Sequence, residues 1–107
     1  MLNIDLNYAS EKFSIAVGAM ASSTDSLHTR LAKAWIHNLS AILMNDVSNL
    51  PAEIQTKLSE LSKKLYAGES NGAGPDIDSL VNALDEDQVR NAIEDIVNLH
   101  HSIIRKL

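Results

Sequence analysis

The sequence predicts an all-α fold, an antiparallel helical bundle of four long helices plus one short helix. Three observations lead to this prediction. Apolar residues recur at steps of three and four in each long segment, side chains that cap helices precede these segments, and three of the four glycines fall in residues 68–75. A chain of 107 residues has the size of one domain. We therefore expect a single helical-bundle domain over residues 1–107, with residues 68–75 as its loop.

The first helix is predicted within residues 2–20, where Asp5 or Asn7 can cap it. Residues 2–6 also alternate between apolar and polar side chains, so this short stretch fits either a helix or an extended strand. The apolar positions at helical spacing are Leu2, Leu6, Ala9, Phe13, Ala16 or Val17, and Met20.

The second helix is expected to follow residues 22–26, which offer several capping side chains, and to reach about Asn45. A third helix is expected to begin at Pro51. Proline is tolerated in the first turn, because a backbone N–H there has no partner within the helix. Gly68 is expected to end it. The apolar stripe of the second helix consists of Leu27, Leu31, Trp35, Leu39 and Ile42.

Two further helix starts follow the loop. Asp76 is predicted to cap the short helix. Asp85, with Gln88 three residues later, predicts a capping box at the start of the last helix. Arg105 and Lys106 lie at the end of that helix, where positive charge suits the helix dipole.

The net charge of −5 is unevenly distributed. Residues 1–67 carry six basic and six acidic side chains, whereas residues 68–107 carry three basic and eight acidic ones. An acidic surface repels a phosphate backbone, so we expect no nucleic-acid partner. The chain has no cysteine, no apolar run of about 18 residues and no basic signal-peptide region at its start. We therefore expect a cytoplasmic protein with no membrane partner.

Three strings carry a resemblance to other proteins. They are residues 26–31 (SLHTRL), residues 50–53 (LPAE) and residues 84–96, which begin LDEDQ. With the apolar spacing from about Phe13 to Ile103, they resemble a set of small, uncharacterised bacterial all-helical proteins. The resemblance implies a bacterial or phage source and no particular chemistry.

The motifs that would indicate catalysis or metal binding are incomplete. His100 and His101 are adjacent, so on a helix they point about 100° apart and are poorly placed to share one metal ion. Leu80 and Val81 interrupt the acidic stretch that would otherwise resemble a calcium loop. Asp25 and His28 can meet near several serines, but helix capping explains the same residues. We expect no metal, no cofactor and no catalytic residue, hence no enzyme.

Two charged groups are candidates for partner binding. Arg30, Lys33 and His37 form a basic stripe along the second helix, suited to an anion or an acidic partner, although a solvated helix face has the same pattern. The acidic start of the last helix is suited to a basic partner. Its carboxylates belong to Asp85, Glu86 and Asp87.

The first helix contains more small and apolar residues than one core-facing stripe needs. Gly18 costs a helix about 1 kcal/mol relative to alanine, which suggests that another helix approaches closely, from the same chain or from another. Ile4, Ile15 and Val17 lie off the main stripe. They fit either an interface with a second subunit or a tightly packed core.

The sequence therefore favours a small, acidic, non-enzymatic protein–protein interaction module that forms a homodimer. An inhibitor, an immunity or antitoxin-like factor and an assembly adaptor all fit this description. The alternative is a small-ligand-binding helical bundle that uses Trp35, Tyr66 or His100 in a pocket between helices.

Overall fold

Helices form nearly all the secondary structure in this computed structural model, which describes residues 3–70, 72–74 and 76–107. Three consecutive elements, from Leu27 to Leu43, follow one another without a break and form one rod. The all-α prediction, with four long helices and one short helix, is confirmed. The elements in chain order are α1 (Leu6–Ser22), α2 (Leu27–Ala34), a π-helical segment (Trp35–Leu39), α3 (Ser40–Leu43), α4 (Ala52–Ser70), α5 (Ile77–Asn82) and α6 (Glu86–Lys106).

Four helices begin at a side chain that accepts a backbone N–H from the first turn. These capping residues are Asp5, Ser26, Asp76 and Asp85. At α6 the side chain of Gln88 also accepts the backbone N–H of Asp85, which completes the predicted capping box. Short polar side chains thus satisfy backbone donors that a helix start leaves unpaired, and they fix where these helices begin.

The end predicted for the third helix is wrong. Gly68 lies inside α4, which continues to Ser70. The glycine is buried against α5, and a Cβ atom placed on it would overlap with the carbonyl oxygen of Leu80. Gly68 therefore serves the close approach of two helices and does not end one. At the other end of α4, Pro51 immediately precedes the first helical residue, Ala52.

The start of the described chain is extended. Asn3 forms an isolated parallel β-bridge with Asp46, and the Ile4 N–H donates to the Asp46 carbonyl oxygen at 2.8 Å. Of the two alternatives for residues 2–6, the extended one therefore holds for residues 3–5. Leu2 lies outside the described residues. Ile4 is buried in the core of its own chain, so it is not surplus apolar surface.

The rod formed by α2 and α3 differs from the predicted uninterrupted α-helix. Within its π-helical segment, the Ser40 N–H donates to the carbonyl oxygen of Trp35, five residues earlier. The segment places Trp35, Asn38 and Leu39 in the interior. Single π-helical turns inside α-helices are rare and are frequent at functional sites, which directs attention to this part of the surface.

Helix α6 packs against α1, α2 and α4, and α5 packs against α4 and α2. No helix in the described part of the chain is long and apolar enough to cross a membrane. The largest fully enclosed side chains are Ile4, Phe13, Leu31, Leu39, Ile42, Ile54, Leu58, Leu61, Leu65, Leu80, Ile96 and Ile103.

Candidate functional site

A groove of about 430 Å³ lies between the C-terminal half of α1 and the rod that contains α2. The three residues of the predicted basic stripe, Arg30, Lys33 and His37, all line it. The structure therefore brings together a set of side chains that the sequence had placed only on one helix. We call this depression the α1/α2 groove. Its remaining lining residues are Ile15, Ala19, Ser22, Ser23, Asp25, Ala34 and Asn38.

The two permanent cations of the groove are held by Asp25, which lies just before α2. Lys33 Nζ is 2.9 Å from a carboxylate oxygen of Asp25, and the Arg30 Nε–H donates to the Asp25 carbonyl oxygen at 2.8 Å. The hydrogen bond from Lys33 is the main reason that the pKa of Asp25 is lowered, with a further contribution from Ser23. Asp25 therefore stays ionised and orients both basic side chains, while the groove keeps an excess of positive charge.

Asn38 is one of two polar residues, with Ser102, that are buried in the described part of the chain. It lies in the π-helical segment, lines the α1/α2 groove and is only 7% exposed. Its side chain makes no hydrogen bond within the part of the chain that the structure describes. Every fully enclosed side-chain nitrogen or oxygen in that part has a partner, so the amide atoms of Asn38 are not fully enclosed. The Asn38 amide must therefore reach the groove surface, where a ligand or water can bond to it.

Sequence reasoning missed Asn38, although a signal existed. Asn38 lies three residues after Trp35 and four before Ile42, on the apolar stripe of the second helix. A polar residue at such a position is either satisfied inside the core or directed towards a site. Asp25 was recognised as polar and near α2, but its bonds to Lys33 and Arg30 depend on how the turn before α2 folds.

The wall of the groove opposite α2 belongs to α1. Ile15 is 47% exposed, and Ala19 is exposed as well. Gly18 is exposed beside them, and a Cβ atom on it would meet nothing within 4 Å in the described structure. Close packing inside this chain therefore does not explain the glycine. Val17, by contrast, is half-buried against the core.

The second predicted group of charges lies at the start of α6, where its members are engaged locally. Arg90 contacts the carboxylates of Glu86 at 2.9 Å and Asp87 at 3.0 Å. The Asp85 carboxylate accepts the backbone N–H of Gln88 at 2.8 Å. These contacts give each carboxylate a role in stabilising the helix start, and they reduce the negative field available to a partner.

Two of the histidines join distant parts of the chain. His28 Nε2 donates to the Leu84 carbonyl oxygen at 2.7 Å, because a carbonyl oxygen can only accept. His100 Nε2 lies 2.9 Å from the Ser14 hydroxyl, across the contact between α6 and α1. Burial, followed by the charge of His101, lowers the pKa of His100. His100 lies at the edge of the core and His101 faces the solvent.

A polar cluster between α4 and α6 was not anticipated from the sequence. The Ser102 hydroxyl is buried and accepts a hydrogen bond from Lys57 Nζ at 2.8 Å. Lys57 also pairs with Glu53 at 3.3 Å, and Lys106 contacts the same carboxylate at 3.4 Å. Lys57 Nζ therefore links Glu53 of its own helix to Ser102 of α6, which ties the two helices together.

The other arrangements considered for chemistry are not assembled. Asp25 is bound to Lys33, whereas His28 is bound to Leu84, so the two do not form an acid–base pair. Across residues 3–70, 72–74 and 76–107, no group of three or more His, Asp or Glu residues could hold a metal ion.

The residues proposed for a ligand pocket are separated by the fold. Trp35 is buried in the core, and His100 lies at the α1–α6 contact. Tyr66 is 50% exposed beside a depression of about 310 Å³ between α4 and the end of the α2–α3 rod. The α1/α2 groove contains none of the three and, at about 430 Å³, is the larger of the two depressions.

No protein-family model, curated protein or solved structure matches the chain. The resemblance to small bacterial helical proteins therefore stays a prediction.

Proposed function

We propose that the protein is a small, non-enzymatic interaction module that binds another protein and associates with a second copy of itself. The proposed contact is the α1 outer face, formed by Ile15, Gly18, Ala19 and Ser22. These residues are spaced as neighbours on one side of a helix, and all four are exposed. The observation that carries the proposal is the open space above Gly18, where a second helix could approach.

The occupant we propose for this face is the same face of a second copy. Residues 13–24 contain no charged side chain, whereas the molecule as a whole carries a net charge of −5. Two acidic molecules repel each other least where they present uncharged surface. A small, uncharged helix face is also self-complementary, as a two-fold symmetric dimer requires. The apolar side chain of Ile15 would lose its contact with water there.

Gly18 lowers the stability of an exposed helix, and a dimer would explain why a glycine is nevertheless present there. Gly18 lowers helix stability by about 1 kcal/mol relative to alanine. Packing within the chain requires a glycine at position 68 but not at position 18. Contact with another helix is the kind of constraint that favours glycine there, because the backbones can then come close.

The biological setting that fits is an inhibitor, an immunity or antitoxin-like factor or an assembly adaptor in the cytoplasm. In each case the protein acts by occupying a surface of another protein and needs no catalytic group. Asp85, Glu86 and Asp87 lie outside the proposed contact, because Arg90 and the start of α6 already engage their carboxylates.

Sedimentation velocity and native mass spectrometry over a wide concentration range test self-association. We expect wild-type protein to populate a species of twice the chain mass of 11.7 kDa. Gly18→Glu places a charge in the centre of the face and should weaken the dimer by about tenfold or more. Asn91→Glu adds the same charge at an exposed position of α6 and is the matched control.

The proposed dimer is wrong if the wild-type protein stays monomeric at every concentration. It is also wrong at this face if Gly18→Glu and Asn91→Glu dimerise equally well. Circular dichroism on both variants separates a loss of association from a loss of folding.

A further inference from the structure

We infer that the α1/α2 groove is a binding site for a small organic anion with one carboxylate on a short apolar body. Residues of a single chain form the whole groove, but Ile15, Ala19 and Ser22 also belong to the α1 outer face, so a bound ligand and a second copy compete for these side chains. Asn38, Arg30 and Lys33 would hold the carboxylate, and Ile15 and Ala19 would contact the apolar part.

The first support is the amide of Asn38, which has no hydrogen-bond partner in the described chain and reaches the surface of the groove. An amide in that position is open to a ligand or to water. Asn38 is more than nine-tenths buried, yet within the described residues its side chain bonds to nothing. An amide N–H at the base of a groove is a suitable donor to a carboxylate oxygen. The π-helical turn that contains Asn38 is a second, independent feature typical of functional sites.

The second support is the arrangement of the cations. Arg30 uses its Nε–H on the Asp25 carbonyl oxygen, and its two terminal nitrogens make no other bond to the described chain. A guanidinium held at Nε with both ends free can bind a carboxylate through two parallel hydrogen bonds. Lys33 adds a second positive charge, which Asp25 partly balances.

The third support is the balance of charge and the size of the site. Arg30, Lys33 and Asp25 leave one net positive charge in the groove of a protein whose net charge is −5. This local excess selects a singly charged anion over a neutral molecule. The volume of about 430 Å³ lies within the range of about 300–1,000 Å³ of small-molecule sites.

The apolar wall indicates what else the ligand carries. Ile15 and Ala19 are exposed on α1 and form an uncharged strip along the groove. A bare inorganic anion would leave this strip in contact with water. An aliphatic or aromatic tail would cover it, so we expect affinity to require both parts of the ligand.

Titration of ¹⁵N-labelled protein with octanoate, followed by NMR, tests the site. We expect octanoate to shift the side-chain amide signals of Asn38 and the Nε–H signal of Arg30. Octanamide is the neutral control of equal length, and inorganic phosphate is the anion without an apolar body. Both should bind about tenfold more weakly or not at all.

Two variants and a matched control complete the experiment. Arg30→Met should weaken octanoate binding by about tenfold, and Lys33→Met should weaken it less, because Asp25 already neutralises part of that charge. Lys63→Met removes an exposed charge outside the groove and should leave binding unchanged. The Lys33 variant keeps the comparison usable if Arg30→Met unfolds the protein.

The inference is overturned if octanoate leaves the Asn38 and Arg30 signals in place, or if octanamide shifts them equally. Phosphate binding as tightly as octanoate would also overturn it, since the apolar wall would then have no role. The titration is carried out at concentrations where sedimentation of the same samples shows a monomer, so that competition by the dimer and a failed ligand site remain distinguishable.

Discussion

Gly68 of α4 lies directly against the backbone of Leu80 in α5, with no room for a Cβ atom between them. Leu80 is fully buried, and the contact joins the two helices on either side of the glycine-rich loop. The atoms that a Cβ on residue 68 would meet belong to the main chain of Leu80. They cannot rotate away as the end of a flexible side chain can. The position of α5 therefore depends on the absence of a side chain at residue 68.

Gly68→Ala should lower the free energy of unfolding by about 2 kcal/mol or more, because α5 must move to admit the methyl group. Gly18→Ala is the matched control, since both glycines lie within helices but only Gly68 is enclosed. The control should stabilise the monomer by about 0.5–1 kcal/mol through better helix propensity. Urea unfolding of dilute protein measures both values, and equal effects would contradict the proposed role of Gly68.

Asp85→Ala should destabilise the protein by about 1 kcal/mol, because the N–H of Gln88 loses its acceptor at the start of α6. Asp85→Asn keeps an oxygen at the same place, so its effect should stay within a few tenths of a kcal/mol. Urea midpoints of the two variants make the comparison. If the asparagine variant were as unstable as the alanine variant, charge rather than capping would explain the role of Asp85.

His100 should titrate below its ordinary pKa of 6.5, since burial and then the charge of His101 oppose its protonation. The unfolded chain then binds the proton more readily than the folded protein. The contribution of His100 to stability is therefore fully present above pH 6.5 and is lost as the pH falls from that value through the folded pKa. NMR titration of the imidazole signals measures the pKa.

The charge of His101 is one of the two causes of the lowered pKa of His100, so His101→Gln should raise that pKa towards 6.5. His100→Gln should remove this part of the pH dependence of stability. A titration midpoint of His100 at or above 6.5 in the wild-type protein would contradict the prediction.

Lys33→Met should raise the pKa of Asp25 towards its ordinary value of 3.8, because the hydrogen bond from Lys33 is the largest cause of its lowering. Lys63→Met should leave the pKa of Asp25 unchanged. The carboxyl ¹³C shift of Asp25, followed through acid titration, reports the result. If both variants gave the wild-type pKa, Lys33 would not be bound to Asp25 in solution.

The sequence predicted the helix starts well because their causes are local. Asp5, Ser26, Asp76 and Asp85 each bond to a backbone N–H three residues later, so a short window contains both partners. The prediction for Gly68 was wrong for the opposite reason. Its constraint comes from Leu80, on another helix, and a glycine near the end of a helix looks the same in either role.

The candidate site was only half predictable. Helical spacing is enough to place Arg30, Lys33 and His37 near one another. The other wall of the groove comes from Ile15 and Ala19 on α1, and the packing of two helices decides which of their faces meet. The spacing of residues also does not predict the π-helical turn, because this turn arises from a local change of hydrogen-bond partner.

The β-bridge between Asn3 and Asp46 has a consequence for the order of folding. Its partners are separated by more than a third of the chain, whereas hydrogen bonds within the helices span a few residues. Closing so long a loop costs chain entropy that helix formation does not. We therefore expect the extended segment at residues 3–5 to dock late, after the rod that ends at Leu43 has formed. In the native protein the amide of Ile4 would then exchange its hydrogen sooner than the core amides of α6, although its side chain is just as deeply buried.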